Sequence, residues 1–142
     1  MVDSGPGSGG TRAGSAASGA AAEALVAERL AHAGWSVLGR NVRVGRDEID
    51  ILALDPGPPR RLVIVEVRTR SSRDHGLAEE TLTAAKQRHL RRAAAALASR
   101  SPGPAGPGQN RAPAVDLIVI EPGLPGTSEP RVRHHRDVLA GI

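Results

Sequence analysis

The sequence contains no cysteine, no phenylalanine and no tyrosine, and it has a single tryptophan. Without cysteine the chain can form neither a disulfide framework nor a thiolate metal site. A core built almost without aromatic residues must consist of Leu, Val, Ile and Ala. The chain also lacks interleaved aromatic side chains of the kind that stack on nucleic-acid bases, so any binding to nucleic acid has to be directed at the backbone.

Long apolar runs are absent as well. No stretch approaches the roughly 20 apolar residues that span a bilayer, and the N-terminus lacks the apolar centre of a signal peptide. We therefore expect a cytoplasmic protein that does not act on membranes. Its 142 residues are enough for one domain with a hydrophobic core, but too few for two domains of ordinary size.

Lysine is almost missing, because Lys86 is the only one, and the positive charge is carried by arginine. The formal net charge is +4. Guanidinium groups stay charged and bind phosphate in a bidentate manner. A proteome rich in Arg, Ala, Gly and Pro would produce the same arginine excess, so the charge alone is weak evidence for phosphate binding.

The composition divides the chain into a leader and a single domain. Residues 1–18 are mainly Gly, Ser and Ala, with almost nothing to bury, and predict a disordered leader. Residues 19–142 form the predicted domain, in which the Gly- and Pro-rich residues 101–113 predict a flexible surface loop.

Periodicity and turn residues predict the order α, β, β, β, α, β, with a less regular edge strand at the end. The predicted helices cover residues 20–34 and 77–100. The predicted strands cover residues 35–44, 47–54, 61–70, 114–121 and, at the edge, 131–139. The first three strands form an antiparallel meander. The result is an α/β fold, a small mixed sheet with a helix packed on each side.

Two carboxylates, Asp50 and Glu66, interrupt the aliphatic residues of neighbouring predicted strands. In a hairpin that is symmetric about its turn, paired residues share one midpoint, and Pro58 is the midpoint of this pair. Because side chains alternate along a strand, Glu48 then shares a face with Asp50, and Arg68 shares it with Glu66. We expect all four side chains to project to the same side of the sheet.

Like charges on opposed residues destabilise a sheet, so a cation has to lie between the two acids. A divalent metal satisfies both carboxylates at once, and Mg²⁺ favours one or two carboxylates together with waters and a phosphate. The alternative is a structural salt bridge from Arg68, Arg43 or Arg70, because ion-pair networks occur in many folds that catalyse nothing.

The sequence resembles the YraN-like family, an uncharacterised group in the PD-(D/E)XK restriction-endonuclease-like superfamily. The resemblance is carried, in order, by Glu23, GRDEIDILAL, IVEVRTR, Lys86 and VDLIVI. It implies an αβββαβ restriction-endonuclease-like core and a phosphodiesterase that depends on Mg²⁺ or Mn²⁺. It also implies that Asp50 and Glu66 bind the metal, that Glu23 is the helix-one carboxylate beside it, and that Arg68 stands where the superfamily has a lysine. Without the resemblance, the helix dipole would explain Glu23, because the predicted helix begins close to it.

Two departures from the family pattern matter for the chemistry. Asp47 replaces a common glycine and adds charge at the rim of the site. Arg68 can stabilise a transition state but cannot act as a base, because guanidinium keeps its proton. Water activation then falls to the metal or to a carboxylate such as Glu48. Lys86 leans toward the sheet from the apolar stripe of its helix, although such lysines often extend into water.

Arginines of the long predicted helix form a basic patch, made of Arg88, Arg91 and Arg92. Together with Lys86 they are the predicted nucleic-acid contacts, unless they are simply a solvated face. His134 and His135 are adjacent in a strand and point to opposite faces, so they cannot readily chelate one metal. His75 follows the third strand, and only its position suggests a role.

These observations leave three hypotheses. The first is a metal-dependent nuclease that hydrolyses DNA phosphodiester bonds, including branched or junction DNA. The second is a catalytically inactive nucleic-acid-binding or scaffold protein with the same fold, and the third is a purely structural ion-pair cluster. A junction-cutting enzyme needs two sites, which would imply a homodimer.

Overall fold

The structure is a computed structural model that describes residues 10–70, 82–100 and 112–140, with only the backbone described for residues 10–18. The described elements are two helices, α1 (Gly10–His32) and α2 (Ala84–Arg100), and five strands. The strands are β1 (Ser36–Val44), β2 (Asp47–Leu54), β3 (Leu62–Thr69), β4 (Ala114–Glu121) and β5 (Arg131–His135). Their order confirms the predicted α/β architecture, consistent with a restriction-endonuclease-like αβββαβ core.

The strands form one mixed sheet in the order β1-β2-β3-β4-β5. β1, β2 and β3 make the predicted antiparallel meander, β4 joins β3 in parallel, and β5 pairs antiparallel with β4 at the edge. Every residue of β4 is buried, as its uninterrupted apolar centre predicted. The predicted edge strand is confirmed in β5.

α1 ends where the sequence predicted but begins earlier. Gly34, with φ 93°, follows the helix, and the amides of Gly34 and Trp35 donate to the carbonyls of Ala31 and Leu30. This is a Schellman motif, for which glycine is the favoured residue. At the other end the helix begins at Gly10, so residues 10–18, predicted as leader, are helical. Several of them are alanine, the best helix former. Residues 1–9 lie outside the described part.

α2 is shorter than the predicted helix, because Leu82 and Thr83 precede it in non-helical conformation. The Thr83 hydroxyl accepts from the Lys86 amide at 3.1 Å and so caps the first turn. The predicted start of this helix at residue 77 falls among residues 71–81, outside the described residues, and so does His75. The predicted loop falls largely on residues 101–111, which are likewise not described.

Two apolar clusters cover the two faces of the sheet. One lies under α2 and includes Leu90, Ala93 and Leu97, the stripe that the sequence predicted. The other lies under α1 and includes Val26 and Leu30. Each helix therefore buries one apolar stripe against the sheet. In the part of the chain that the structure describes, neither helix is long and apolar enough to cross a membrane.

Candidate functional site

The β2–β3 hairpin brings the two predicted acids together. Its paired residues, from Leu54 with Leu62 to Ile51 with Val65, all share the midpoint at position 58 that the sequence predicted. The ladder then stops, and the next step would pair Asp50 with Glu66. Instead, Asp50 Oδ2 accepts a hydrogen bond from the backbone amide of Val67 at 2.8 Å. The side chain of Asp50 thus replaces a backbone partner where the two strands separate.

The alternation of side chains along β2 changes at Asp50. Ile49 packs in the cluster under α2, whereas Ile51 packs in the cluster under α1, although residues two apart in a regular strand share a face. Asn41, on the neighbouring strand, has φ 52°, a left-handed conformation that Asn tolerates better than most residues. With this irregularity, the charge of Asp50 affects the pKa of Glu23 on α1 as well as the pKa of Glu66 on β3.

Glu66 is the most buried acid of this region, with its side chain only 5% exposed. Two cations lie near the same oxygen: Lys86 Nζ is 3.3 Å from Oε2 and Arg68 Nε is 3.7 Å from it. Burial, and next the charge of Asp50, raise the pKa of Glu66 to about 7, although Lys86 and Arg68 oppose the shift. The other oxygen, Oε1, is buried without a hydrogen-bond partner in the described structure.

Glu23 approaches the same acids from α1. Burial raises the pKa of this half-buried carboxyl, and the charge of Asp50 raises it further, while a hydrogen bond with the Asn41 side chain acts in the opposite direction. Because α1 begins at Gly10, Glu23 lies well inside the helix and not in its first turn. The helix dipole therefore does not explain this residue, but its contacts with Asp50 and Asn41 do.

The donor set fits a hard divalent cation. Asp50 and Glu66 offer carboxylate oxygens, and the unsatisfied Oε1 of Glu66 is the kind of buried acceptor that a bound ion would complete. Within the described residues, no group of three or more acidic, His or Cys side chains is arranged as a metal site. Two carboxylates are nevertheless the usual protein share of a Mg²⁺ shell, which keeps several waters. The role of Glu23 as a third ligand stays a prediction.

The basic residues of the site come from two elements. Arg68 follows Glu66 on β3, as predicted, and Lys86 reaches the same carboxylate from α2. Lys86 therefore leans toward the sheet, as predicted, with its side chain 29% exposed. Its predicted contact with nucleic acid stays a prediction. Glu48 is exposed on β2, and it lines a small pocket beside Lys86.

The negative charge that Asp47 adds at the rim is neutralised by a partner on α2. Arg92 Nε and Nη2 donate to its two oxygens at 2.8 and 2.7 Å, and this bidentate contact with Arg92 lowers the pKa of Asp47. Arg92 is thus engaged by a carboxylate in this structure. Arg88 and Arg91 are exposed on α2, as a phosphate-contacting role requires.

A second polar cluster occupies a different part of the sheet. Asp116 of β4 is fully buried and accepts from His134 Nε2 at 2.8 Å and from the Asp137 amide at 2.9 Å. Arg136 Nε lies 2.7 Å from the same carboxylate, and its guanidinium also covers the ring of Trp35 at 4.9 Å. This cluster ties β5 and the following turn to the core, which is a structural role.

Sequence reasoning missed two features of the site, namely Asn41 and the Arg92–Asp47 pair. The one signal for Asn41 is a residue type that is depleted in strands, placed inside a predicted strand. No sequence spacing links residues 47 and 92, which only the packing of α2 beside the β1–β2 turn brings together.

Comparison with known proteins identifies the family of the chain. The model of the Uncharacterised protein family UPF0102 matches residues 22–120. The chain is similar to the UPF0102 protein of Symbiobacterium thermophilum, with 40% identity over 71% of this chain and 79% of the relative. It is similar to that of Roseiflexus castenholzii, with 39% identity over 70% of this chain and 74% of the relative. With that of Chlorobium phaeobacteroides the identity is 45%, over 53% of this chain and 57% of the relative. The chain belongs to the uncharacterised protein family UPF0102, the YraN family that its motifs resemble.

Proposed function

We propose that the protein is a metal-dependent nuclease that hydrolyses phosphodiester bonds of DNA. The observation that carries the proposal is Glu66, a buried carboxylate with one unsatisfied oxygen, next to the charge of Asp50. A purely structural ion pair would be expected to satisfy both oxygens of a buried acid. An acid that is left half-satisfied beside a second acid is what a site for a divalent cation requires.

In the proposed site, Asp50 and Glu66 would hold Mg²⁺ or Mn²⁺. Such an ion, when bound, polarises the phosphate and makes water more acidic. The amide of Val67 holds Asp50 in place through its 2.8 Å hydrogen bond to Oδ2, and Oδ1 would be the oxygen that binds the ion.

Lys86 and Arg68 would supply positive charge for the phosphate in the transition state. Lys86 carries three donors on a flexible stem, and Nζ, 3.3 Å from Glu66 Oε2, would donate to a phosphate oxygen held beside that carboxylate. Arg68 offers a fixed fork on the strand itself. Arg68 occupies the motif position of the superfamily lysine, but we assign the role of that lysine to Lys86, supplied from α2, and a supporting contact to Arg68.

Substrate binding is assigned to the basic surface of α2. Arg88 and Arg91 are exposed on this helix and can contact the backbone of DNA without touching the acids. Backbone contacts carry little sequence information, so we expect structure-selective cleavage, with branched or junction DNA as the preferred substrate. A pair of sites on such a junction would be supplied by a homodimer.

The test separates binding from cleavage. Wild type, Glu66→Gln and the control Glu28→Gln, which alters an exposed acid of α1, are compared on linear, nicked and four-way-junction DNA. Cleavage is followed in Mg²⁺ or Mn²⁺, and binding is followed in Ca²⁺. We expect Glu66→Gln to bind as well as wild type or better, because one repulsive charge is lost, and to cut nothing.

The control Glu28→Gln should behave as wild type in both assays. Binding of junctions by wild type without cleavage in either metal would replace the nuclease by a nucleic-acid-binding or scaffold protein. Neither binding nor cleavage would leave a structural ion-pair cluster.

A further inference from the structure

A small pocket, which we call the turn–helix pocket, lies between the β1–β2 turn and α2. It has a volume of about 210 Å³ and includes the basic side chains of Arg46, Lys86 and His89. Arg46 occupies the two-residue turn after Gly45, whose φ of 61° is the positive value that a tight hairpin turn of this kind needs at its first central residue. Arg46 is therefore presented toward α2 by a short, well-defined turn.

The acidic lining of this pocket is partly cancelled. Asp47 contributes to the wall, but Arg92 binds both of its oxygens. Glu48 is the other acid of the lining, and it is exposed. Lys86 is itself paired with Glu66, so Arg46 and His89 face one acid, Glu48, that has no partner among the described residues. The N–H donors of the three basic side chains outnumber the free carboxylate oxygens of the lining, and the pocket therefore suits an anion.

The pocket adjoins the carboxylate site through a shared residue. Lys86 lines the pocket and also pairs with Glu66 Oε2 at 3.3 Å. A group held in the pocket and a group held at the carboxylates would therefore lie on either side of one ammonium. Successive phosphates of a nucleic-acid strand are spaced regularly along the backbone, so two neighbouring phosphates of one strand can fill such adjoining sites.

We propose that the turn–helix pocket binds the backbone phosphate next to the scissile one, with Arg46 and His89 as its ligands and Lys86 between the two phosphates. The proposal rests on the proposed nuclease function and names a substrate contact that fixes which phosphodiester is cut. A base is a poor occupant, because the apolar lining consists of Ile49 and Leu90 and, among the described residues, no Trp, Tyr or Phe lines the pocket to stack on it.

The first experiment uses inorganic phosphate as the probe, without cleavage. Amide chemical shifts of the full-length protein are followed by NMR during titration with phosphate, at constant ionic strength. We expect saturable shifts centred on residues 46–48 and 86–90. Arg46→Gln and His89→Gln should each weaken binding by about tenfold, as expected for the loss of a hydrogen bond to a charged group. The control Arg100→Gln, at the far end of α2, should leave it unchanged. Shifts centred elsewhere, or equal binding by all variants, would overturn the pocket.

The second experiment uses cleavage. Substrates carry one uncharged methylphosphonate at successive positions around the cut. One flanking position should slow wild type by about tenfold, yet cause no further loss in Arg46→Gln, because the contact is already gone. Losses that multiply would overturn the pocket while leaving the nuclease intact. Phosphate binding at the pocket without cleavage of any substrate would reject the nuclease and retain the anion site.

Discussion

Lys86 of α2 and Glu66 of β3 form an ion pair, with 3.3 Å between Nζ and Oε2, and this pair joins the only lysine of the sequence to its most buried candidate acid. Arg68, the residue at the lysine position of the motif, lies slightly farther away, at 3.7 Å. The positive charge at the site therefore has two sources, and they can be tested separately.

We expect the positive charges of Arg68 and Lys86 each to be needed for full cleavage activity. Arg68→Lys keeps the charge and should keep cleavage, whereas Arg68→Ala should lower it by about a hundredfold, as for the loss of one transition-state donor. Lys86→Gln should cause a loss at least as large. Single-turnover rates on junction DNA, with Glu28→Gln as control, measure each change. Full activity in Arg68→Ala would reduce Arg68 to a structural partner.

A metal bound by Asp50 and Glu66 should stabilise the folded protein. Mg²⁺ or Mn²⁺ should raise the melting temperature of wild type, because the ion binds only the folded state. The shift should be small in Asp50→Asn, which removes one charge at similar volume. Melting curves with and without chelator measure the difference, and Glu28→Gln should respond as wild type. Equal shifts in Asp50→Asn and wild type would reject this metal site.

Stability without metal should depend on pH through Glu66. Burial and the charge of Asp50 raise its pKa from 4.5 to about 7, so between these values the folded state holds a proton that the unfolded state releases. Stability therefore falls as pH rises through this window and stays reduced above it. Relative to Glu66→Gln, wild type should lose on the order of 3 kcal/mol between about pH 4.5 and 8. Urea unfolding in chelator measures this loss, and parallel pH curves would contradict it.

The arginines of α2 should separate into two classes. Arg88→Gln and Arg91→Gln should weaken DNA binding and each reduce the salt slope by about 0.9, with little effect on the melting temperature. Arg92→Gln should lower the melting temperature, because it leaves the carboxylate of Asp47 without its bidentate partner. Equal salt slopes in all variants would mean that this face of α2 does not contact DNA.

Asp116 should matter for stability and not for metal binding. Its fully buried carboxylate accepts from His134 and from the Asp137 amide and pairs with Arg136. Asp116→Ala should destabilise the protein by about 3 kcal/mol, as expected when one partner of a buried pair is removed. At a temperature where this variant is folded, its response to Mg²⁺ should match wild type. A lost metal response in folded protein would place Asp116 in the functional site.

The sequence by itself determined the strands and the two helices, the antiparallel meander of β1 to β3 and the meeting of Asp50 with Glu66. These features depend on local signals: apolar periodicity sets the elements, Gly34 ends α1, and the symmetric turn fixes the register of the β2–β3 hairpin. Each signal acts within a few residues or across one turn, where the separation of two residues along the chain also sets their distance in three dimensions.

Only the tertiary structure decided which groups complete the site. Lys86 meets Glu66, and Arg92 meets Asp47, because α2 packs across the strands from one side. Glu23 meets Asp50 because α1 packs from the other side and β2 changes its facing at that residue. The rotation of a helix on a sheet is set by the fit of many apolar side chains together, so no local pattern specifies which charged residue it delivers to a given carboxylate.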